Sequence, residues 1–291
     1  AFTNAQIRAL TTTQLQSLSA DQYSSLTATE ISNFSAAQVY SFTPAGIASL
    51  SSTQIQAIPT GAVASLDLSA LTTDQINALT TKQISALSAT KINNLSATSL
   101  SALNGAAIGA ITTSVIASLS SDQISNLSTS QISALTSLQI QALTTAQVNA
   151  MHADQIASIS ASGVSALTTT QITGLTAAID LLAGLSTTQI PALSTANVAI
   201  LTADQLNALS TTQINSLSAT QAKALSGTQI TALTTENLVA LSSSAIANLS
   251  TSALSTISTT QLQYLTTAQM QGLTTTAVRA LSTDQIVALT T

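Results

Sequence analysis

The sequence predicts an all-α solenoid of short capped helices, and three observations carry that prediction. The chain repeats an eight-residue unit almost throughout. Within each unit the two large apolar positions stand three residues apart, and the unit opens on Ser or Thr with Gln three residues later. The stretch from Ser120 to Leu143 shows all three features, reading SSDQISNL, STSQISAL and TSLQIQAL. Positions i and i+3 share a face of a helix but lie on opposite faces of a strand. Ser or Thr followed three residues on by Gln or Glu is a capping box. Its hydroxyl accepts from the backbone N–H at position 4, and the position-4 side chain reaches back to the N–H at position 1.

With each unit closed on its large apolar residue, octads run in register from Thr3 to Leu66, from Thr72 to Leu175 and from Ser186 to Leu289, 34 in all. Two irregular units interrupt them, a five-residue unit from Asp67 to Leu71 and a ten-residue unit, TAAIDLLAGL, from Thr176 to Leu185. Residues 1–291 are therefore read as a single continuous repeat array. Position 8 is Leu, Ile, Phe or Met in every octad, and position 5 is large and apolar in all but the one carrying Ala222, which makes these two positions the expected core. Position 1 is Ser or Thr except at Pro59, Asn104 and His152, and position 4 is Gln or Glu in 22 of the 34 octads, so the box is the rule. Asp21, Asp74, Asp122, Asp154, Asp204 and Asp284 all occupy position 3, inside the first turn, where the positive end of the helix dipole favours a carboxylate. Pro44 sits at position 2, the first helical residue and the one that tolerates Pro best. Pro191, at position 6, removes an intrahelical bond and crowds the preceding turn. The two irregular units predict a local bend or a change of superhelix phase.

A new cap every eight residues limits each helix to about two turns, roughly 10 Å of rise. Isolated helices below about 12 residues are marginal in water, so stability has to come from stacking the position-5 and position-8 side chains of neighbouring units. The expected product is a solenoid with an Ile/Leu core and with Ser, Thr, Gln and Asn outside. Small Ala or Ser at position 7 lets the backbones approach. A β-solenoid is the alternative, because Thr and Ile favour strands and Thr-rich faces suit stacked parallel coils. Ala, Leu and Gln cluster at positions 4 to 8, however, Gly is scarce for a chain with so many corners, and the capping box would have no purpose in strands.

Composition excludes several function classes. Charged residues are 5% of the chain, against about 25% in an average soluble domain. Five Lys and Arg with a net charge of −5 lack the footprint that nucleic-acid binding requires. There is no Cys, which removes disulfides and thiolate metal sites and fits an extracellular chain. Polar residues interrupt every apolar run before the roughly 18 residues of a membrane span. The opening AFTNAQIRAL is already a repeat, so an export signal is expected to lie outside this chain or to have been removed.

Candidate chemistry is sparse. His152 is the only His and stands where its unit needs a cap; without a Ser/Asp partner or a second ligand nearby it reads as a solvated substitute. The carboxylates are spaced by whole units, which gives neither an acid/base pair nor a calcium loop. Gly105 and Gly109 in NGAAIGAI lack the strand, third Gly and Lys of a phosphate loop. Asn33, Asn94, Asn126 and Asn248 each begin an N-x-Ser sequon, produced by Asn at position 7 ahead of the repeated Leu and Ser. Asp180 is the acidic residue inside the longer, apolar irregular unit, and a binding role is open to it. No catalytic, cofactor-binding or metal-binding residue is assigned, no cofactor is expected, and the chain is not expected to be an enzyme.

The consensus L-[ST]-T-x-Q-I-x-A-L, seen as LTTDQINAL from Leu71 to Leu79 and LSTTQINSL from Leu209 to Leu217, resembles octapeptide repeats of very large secreted and surface proteins of Gram-negative bacteria, commonly labelled adhesin-like or haemagglutinin-like. The resemblance covers essentially the whole chain and conveys no catalytic residue. It implies an extracellular or cell-surface location and a structural or adhesive role as spacer, matrix or filament-forming scaffold. Self-association is the expected partnership, with no nucleic acid and no transmembrane segment. The alternative is a binding module that turns a Ser/Thr-rich face to surface glycans, ice or a receptor.

Overall fold

A computed structural model describes residues 2–174 and 182–289. Among these residues there are only short α-helices, two 3-10 turns and their links, with no strand, which sets the β-solenoid aside. The chain divides into two compact units, Ala1–Leu143 and Thr144–Thr291. Each is wound from the same repeat in the same way.

Most octads form one helix over positions 2 to 6 or 7; Ala28–Ile31 and Thr60–Val63 stop at position 5. In Thr136–Leu143, Thr136 is the N-cap at φ −71° and ψ 160°, the helix is Ser137–Ala142, and Leu143 ends it at φ −59° and ψ 136°. Position 8 of this unit is thus extended, and position 1 is extended in unit after unit. Two such residues are enough to turn the chain from one helix to the next. No described residue has positive φ, so these helices do not end on the left-handed glycine cap common elsewhere. That is why so many corners need so few glycines. The helices are also shorter than two turns, commonly five or six residues, because positions 8 and 1 are spent on the link.

The capping boxes form as the spacing predicts. Thr136 Oγ1 accepts from the Gln139 N–H at 3.3 Å, and Gln139 Oε1 accepts from the Thr136 N–H at 2.8 Å. Most position-4 glutamines, though, are not on the outside; Gln6, Gln14 and Gln22 are the exposed ones. Gln83, Gln131, Gln139 and Gln221 are almost wholly buried, which corrects the expectation of an outward Gln row. The cause is the other end of the amide. Gln139 Nε2 donates to the carbonyls of Ile108 and Ile111 at 2.9 and 2.7 Å, positions 5 and 8 of the fourth unit back. The second compact unit repeats the pattern, with Gln221 on Ile190 and Leu193 and Gln285 on Leu254 and Ile257. A helix leaves its first N–H groups and last carbonyls without partners. One glutamine here satisfies a donor at the start of its own helix and acceptors at the end of a helix in the preceding turn.

Winding follows from these contacts. Within each compact unit the helices pack on the third helix along the chain, as Ala20–Ser24 does on Pro44–Ser49 and Ser243–Ala247 on Thr267–Gly272. The glutamine bonds instead span to the fourth unit at sequence separations of 28 and 31. A turn of the solenoid therefore holds between three and four octads. Asparagines at position 6 tie in the opposite direction, as Asn207 and Asn215 do by donating to the carbonyls of Ala232 and Ala240, 25 residues ahead. Position 7 meets position 2 of the third unit back, and the pair is matched in size. Gly227 lies against Thr256, Gly174 against Thr145, and Gly105 against Ala134.

The two irregular units do not shift the phase of this ladder. Across the five-residue unit, Gln75 and Gln83 still reach positions 5 and 8 of the fourth unit back, Ile47 and Leu50 or Ile55 and Ile58, at separations shortened to 28 and 25. Across the ten-residue unit Gln189 reaches Ile156 and Ile159 at 33 and 30. The winding counts helices, not residues. Pro191 converts its helix into a turn followed by a 3-10 segment, Ile190–Ala192, yet Ile190, Leu193 and Gln189 remain buried.

Candidate functional surface

Most residues singled out in the sequence are absorbed by the fold. His152 is exposed, and its N–H donates to Gln155 Oε1 at 2.8 Å, the reciprocal half of the box. Asn104 caps through Oδ1 on the Ala107 N–H at 2.9 Å, while Pro59 offers no side-chain cap. The sequon asparagines Asn33, Asn126 and Asn248 each donate to a carbonyl of their own helix. Asp180 and the start of its unit lie outside the described residues. Among the described residues no three His, Cys, Asp or Glu gather within reach of one metal ion, and no helix is long and apolar enough to cross a membrane. The cap hydroxyls of the Ser/Thr row are occupied as well. Thr136 Oγ1 accepts from Gln139 N–H and also donates to Gln139 Oε1 at 3.1 Å.

Two places depart from the repeat in a chemically informative way, and neither was legible from residue types alone. The first is Tyr23, fully buried at position 5. Its hydroxyl donates to the Leu15 carbonyl at 2.8 Å and accepts from the N–H and hydroxyl of Thr43. Those are the bonds a glutamine at position 46 would make, and position 46 is Gly. A Cβ at Gly46 would overlap the Tyr23 ring. The phenol has replaced the amide, and burial pushes it above the usual tyrosine range, against the opposing hydrogen bonds from Thr43. Phe42 packs edge-on to Tyr23 and to Phe34, with ring centroids 5.1 and 5.2 Å away.

The second is a notch at the five-residue unit. Asp67–Leu71 has residues for only a 3-10 turn, Leu68–Ala70, capped by Asp67 Oδ1 on the Ser69 N–H at 3.0 Å. The missing helical turn leaves a cavity of about 450 Å³, walled on its other side by Lys91, Asn94, Leu95 and Ser99. In an ordinary turn two glutamines would cross this space. Here position 4 is Lys91, then Ser99, Ala107 and Val115, so four consecutive units lack the amide. Lys91 Nζ takes over one bond, to the Leu66 carbonyl at 2.7 Å. Ser99 is too short to reach Leu71 and pairs with Ser96 Oγ at 3.0 Å instead. Hydrogen bonds from the Ser69 hydroxyl and N–H, with the nearby Lys91 ammonium, hold the Asp67 carboxyl below the usual aspartate range.

Short capped helices wound three to four to the turn, with an Ile/Leu core and an amide ladder between turns in each compact unit, define an α-solenoid repeat protein. The chain belongs to the ALTTAQ repeat family, whose model matches residues 61–97, 121–153, 180–211, 204–235 and 255–291, more than half of the chain. The six letters occur literally from Ala142 to Gln147, where they span the end of one helix, the core Leu, the cap and the box Gln. No curated protein matches the sequence.

Proposed function

We propose that this chain is a structural repeat segment of an extended extracellular bacterial protein, serving as spacer, matrix or filament-forming scaffold rather than as an enzyme. The observation that carries the reading is the use made of the recurring polar groups. Cap hydroxyls and position-4 amides are spent on helix ends and on the bonds between turns, in Thr136 with Gln139 as in Ser218 with Gln221. A surface of hydroxyls and amides with 5% charged residues suits a passive connector. The resemblance of the octapeptide to repeats of secreted adhesin-like proteins supports the extracellular setting.

Self-association through the solenoid ends belongs to the same reading. Core-position side chains Phe2, Val278 and Ile286 are 52%, 45% and 39% exposed, and exposed core positions of a repeat array favour stacking against further repeats. Gln6, Gln14 and Gln22 close their boxes but have no carbonyl pair four units back. A further repeat or a second copy supplies one. Electron microscopy and light scattering of the purified chain over a range of concentrations test this. Rods or fibres that lengthen with concentration are expected; compact monomers at every concentration would overturn the proposal.

A further inference from the structure

We infer that the notch beside Asp67–Leu71 is a binding site for a neutral saccharide, a role that goes beyond the scaffold reading and does not depend on it. A chain with fifteen charged residues in 291 brings an acid and a base to the same small cavity, Asp67 on one wall and Lys91 on the other. They lie within Coulombic reach without closing an ion pair. Asp67 Oδ1 is held by Ser69 at 3.0 and 2.7 Å, which leaves Oδ2 to accept from a ligand. Lys91 spends one donor on Leu66 and keeps others, since an ammonium has three. The Asn94 amide, which makes no side-chain hydrogen bond in the structure, supplies both a donor and acceptor lone pairs.

The charge balance selects the ligand class. Asp67 opposes an anion and Lys91 opposes a cation, whereas a polyol meets both, because each hydroxyl donates as well as accepts. Leu68 and Leu95 lie beneath the lining and are only 4% and 6% exposed, so the polar groups carry the recognition. The volume of about 450 Å³ falls within the 300–1,000 Å³ range of small-molecule sites, and a free amino acid would leave most of it empty. The site exists because two departures coincide. A unit loses a helical turn, and the third and fourth units after it carry Lys91 and Ser99 where glutamines would fill the gap.

The test is titration of the whole 291-residue chain with maltose, cellobiose, lactose and N,N′-diacetylchitobiose, read by saturation-transfer NMR and calorimetry, with glycine and glutamate as competitors. Saturable binding of at least one disaccharide is expected, with a Kd of about a millimolar. Ser99→Gln replaces the short side chain by the repeat's own residue, which reaches the Leu71 carbonyl and fills the notch. It is expected to weaken binding by at least about tenfold while the fold, read by circular dichroism and melting, stays at least as stable. Asp67→Asn, which keeps the turn's cap, is expected to weaken binding without unfolding and serves as the readout if Ser99→Gln misfolds. No saturable binding of any of the four sugars, equal binding by both variants, or preference for the amino acids overturns the inference. Rod formation measured in parallel reports on the scaffold reading separately, because neither Ser99→Gln nor Asp67→Asn alters the exposed side chains Phe2, Val278 and Ile286.

Discussion

A glutamine side chain is long enough to set its oxygen on its own cap N–H while its NH2 group touches two carbonyls of the preceding turn. Asparagine, one methylene shorter, is not. Asn197 at position 4 reaches the Leu167 carbonyl at 2.8 Å, but its Oδ1 is buried without a partner. An unsatisfied buried acceptor costs about 1–3 kcal/mol, so Asn197→Gln is expected to raise the urea midpoint by an amount worth about 1 kcal/mol; an unchanged or lower midpoint contradicts this. Tyr23 and Gly46 make a sharper case, since the phenol does the work of the absent glutamine. Tyr23→Phe removes the hydroxyl from the Leu15 carbonyl, which keeps the Leu18 N–H, and takes the acceptor from the Thr43 N–H; it is expected to cost about 1–3 kcal/mol. Gly46→Gln overlaps the ring and Tyr23→Ile empties its space, whereas the two together rebuild the ordinary repeat. A double-mutant cycle in urea is therefore expected to show coupling of about 1–3 kcal/mol; simple additivity would refute the exchange.

The helix, not the residue, is the unit that the solenoid counts. Helices of five or six residues do not persist alone in water, and each is held by its third and fourth neighbours. The five-residue unit at Asp67–Leu71 leaves the glutamine bonds across it intact, and Pro191 breaks its own helix without displacing Ile190 or Leu193 from the core. Removing one whole octad, residues 210–217, presents the following units with carbonyls of the same geometry. That deletion is expected to keep the far-UV dichroism per residue and a cooperative melt. Removing only 210–213 takes out the cap and the box Gln213, leaves half a unit, and is expected to lower the melting temperature far more. Equal melting of the two deletions would show that the octad is not the counting unit.

At the scale of the molecule, the forces are apolar contact and neutral hydrogen bonds, with few titrating groups to make stability depend on pH. Glu30 is an exception. It stands at position 4 in place of Gln and is buried. Its carboxylate accepts from the Thr27 N–H and hydroxyl at 2.7 and 2.9 Å and from the Phe2 N–H at 2.7 Å. The backbone bond from Thr27 leads in holding its carboxyl below the usual glutamate range, against the desolvation of burial. A depressed carboxylate contributes stability above its unfolded pKa and loses it as the pH falls through the lower native value. Glu30→Gln keeps an acceptor for the cap and removes the titration. The melting temperature of the parent is therefore expected to drop more steeply than that of the variant below pH ~4; parallel profiles would exclude Glu30 as the acid-sensitive group.

Most of the helical architecture was legible in the sequence because it is local. A capping box, an i to i+3 apolar pair and a Pro at the first helical position act within one octad, and eight residues are enough to encode them. The sequence by itself therefore determined the helix at each unit, the Ile/Leu core and the position of each cap. Only the tertiary structure decided where the second end of each glutamine goes, how many helices make a turn, and that the irregular units keep the phase. Those depend on a partner 25 to 33 residues away, and nothing within one repeat specifies that distance. The same limit hid the exchange of Tyr23 for a glutamine at position 46 and the notch at Asp67. In the sequence each is two unremarkable substitutions far apart, and winding sets them face to face.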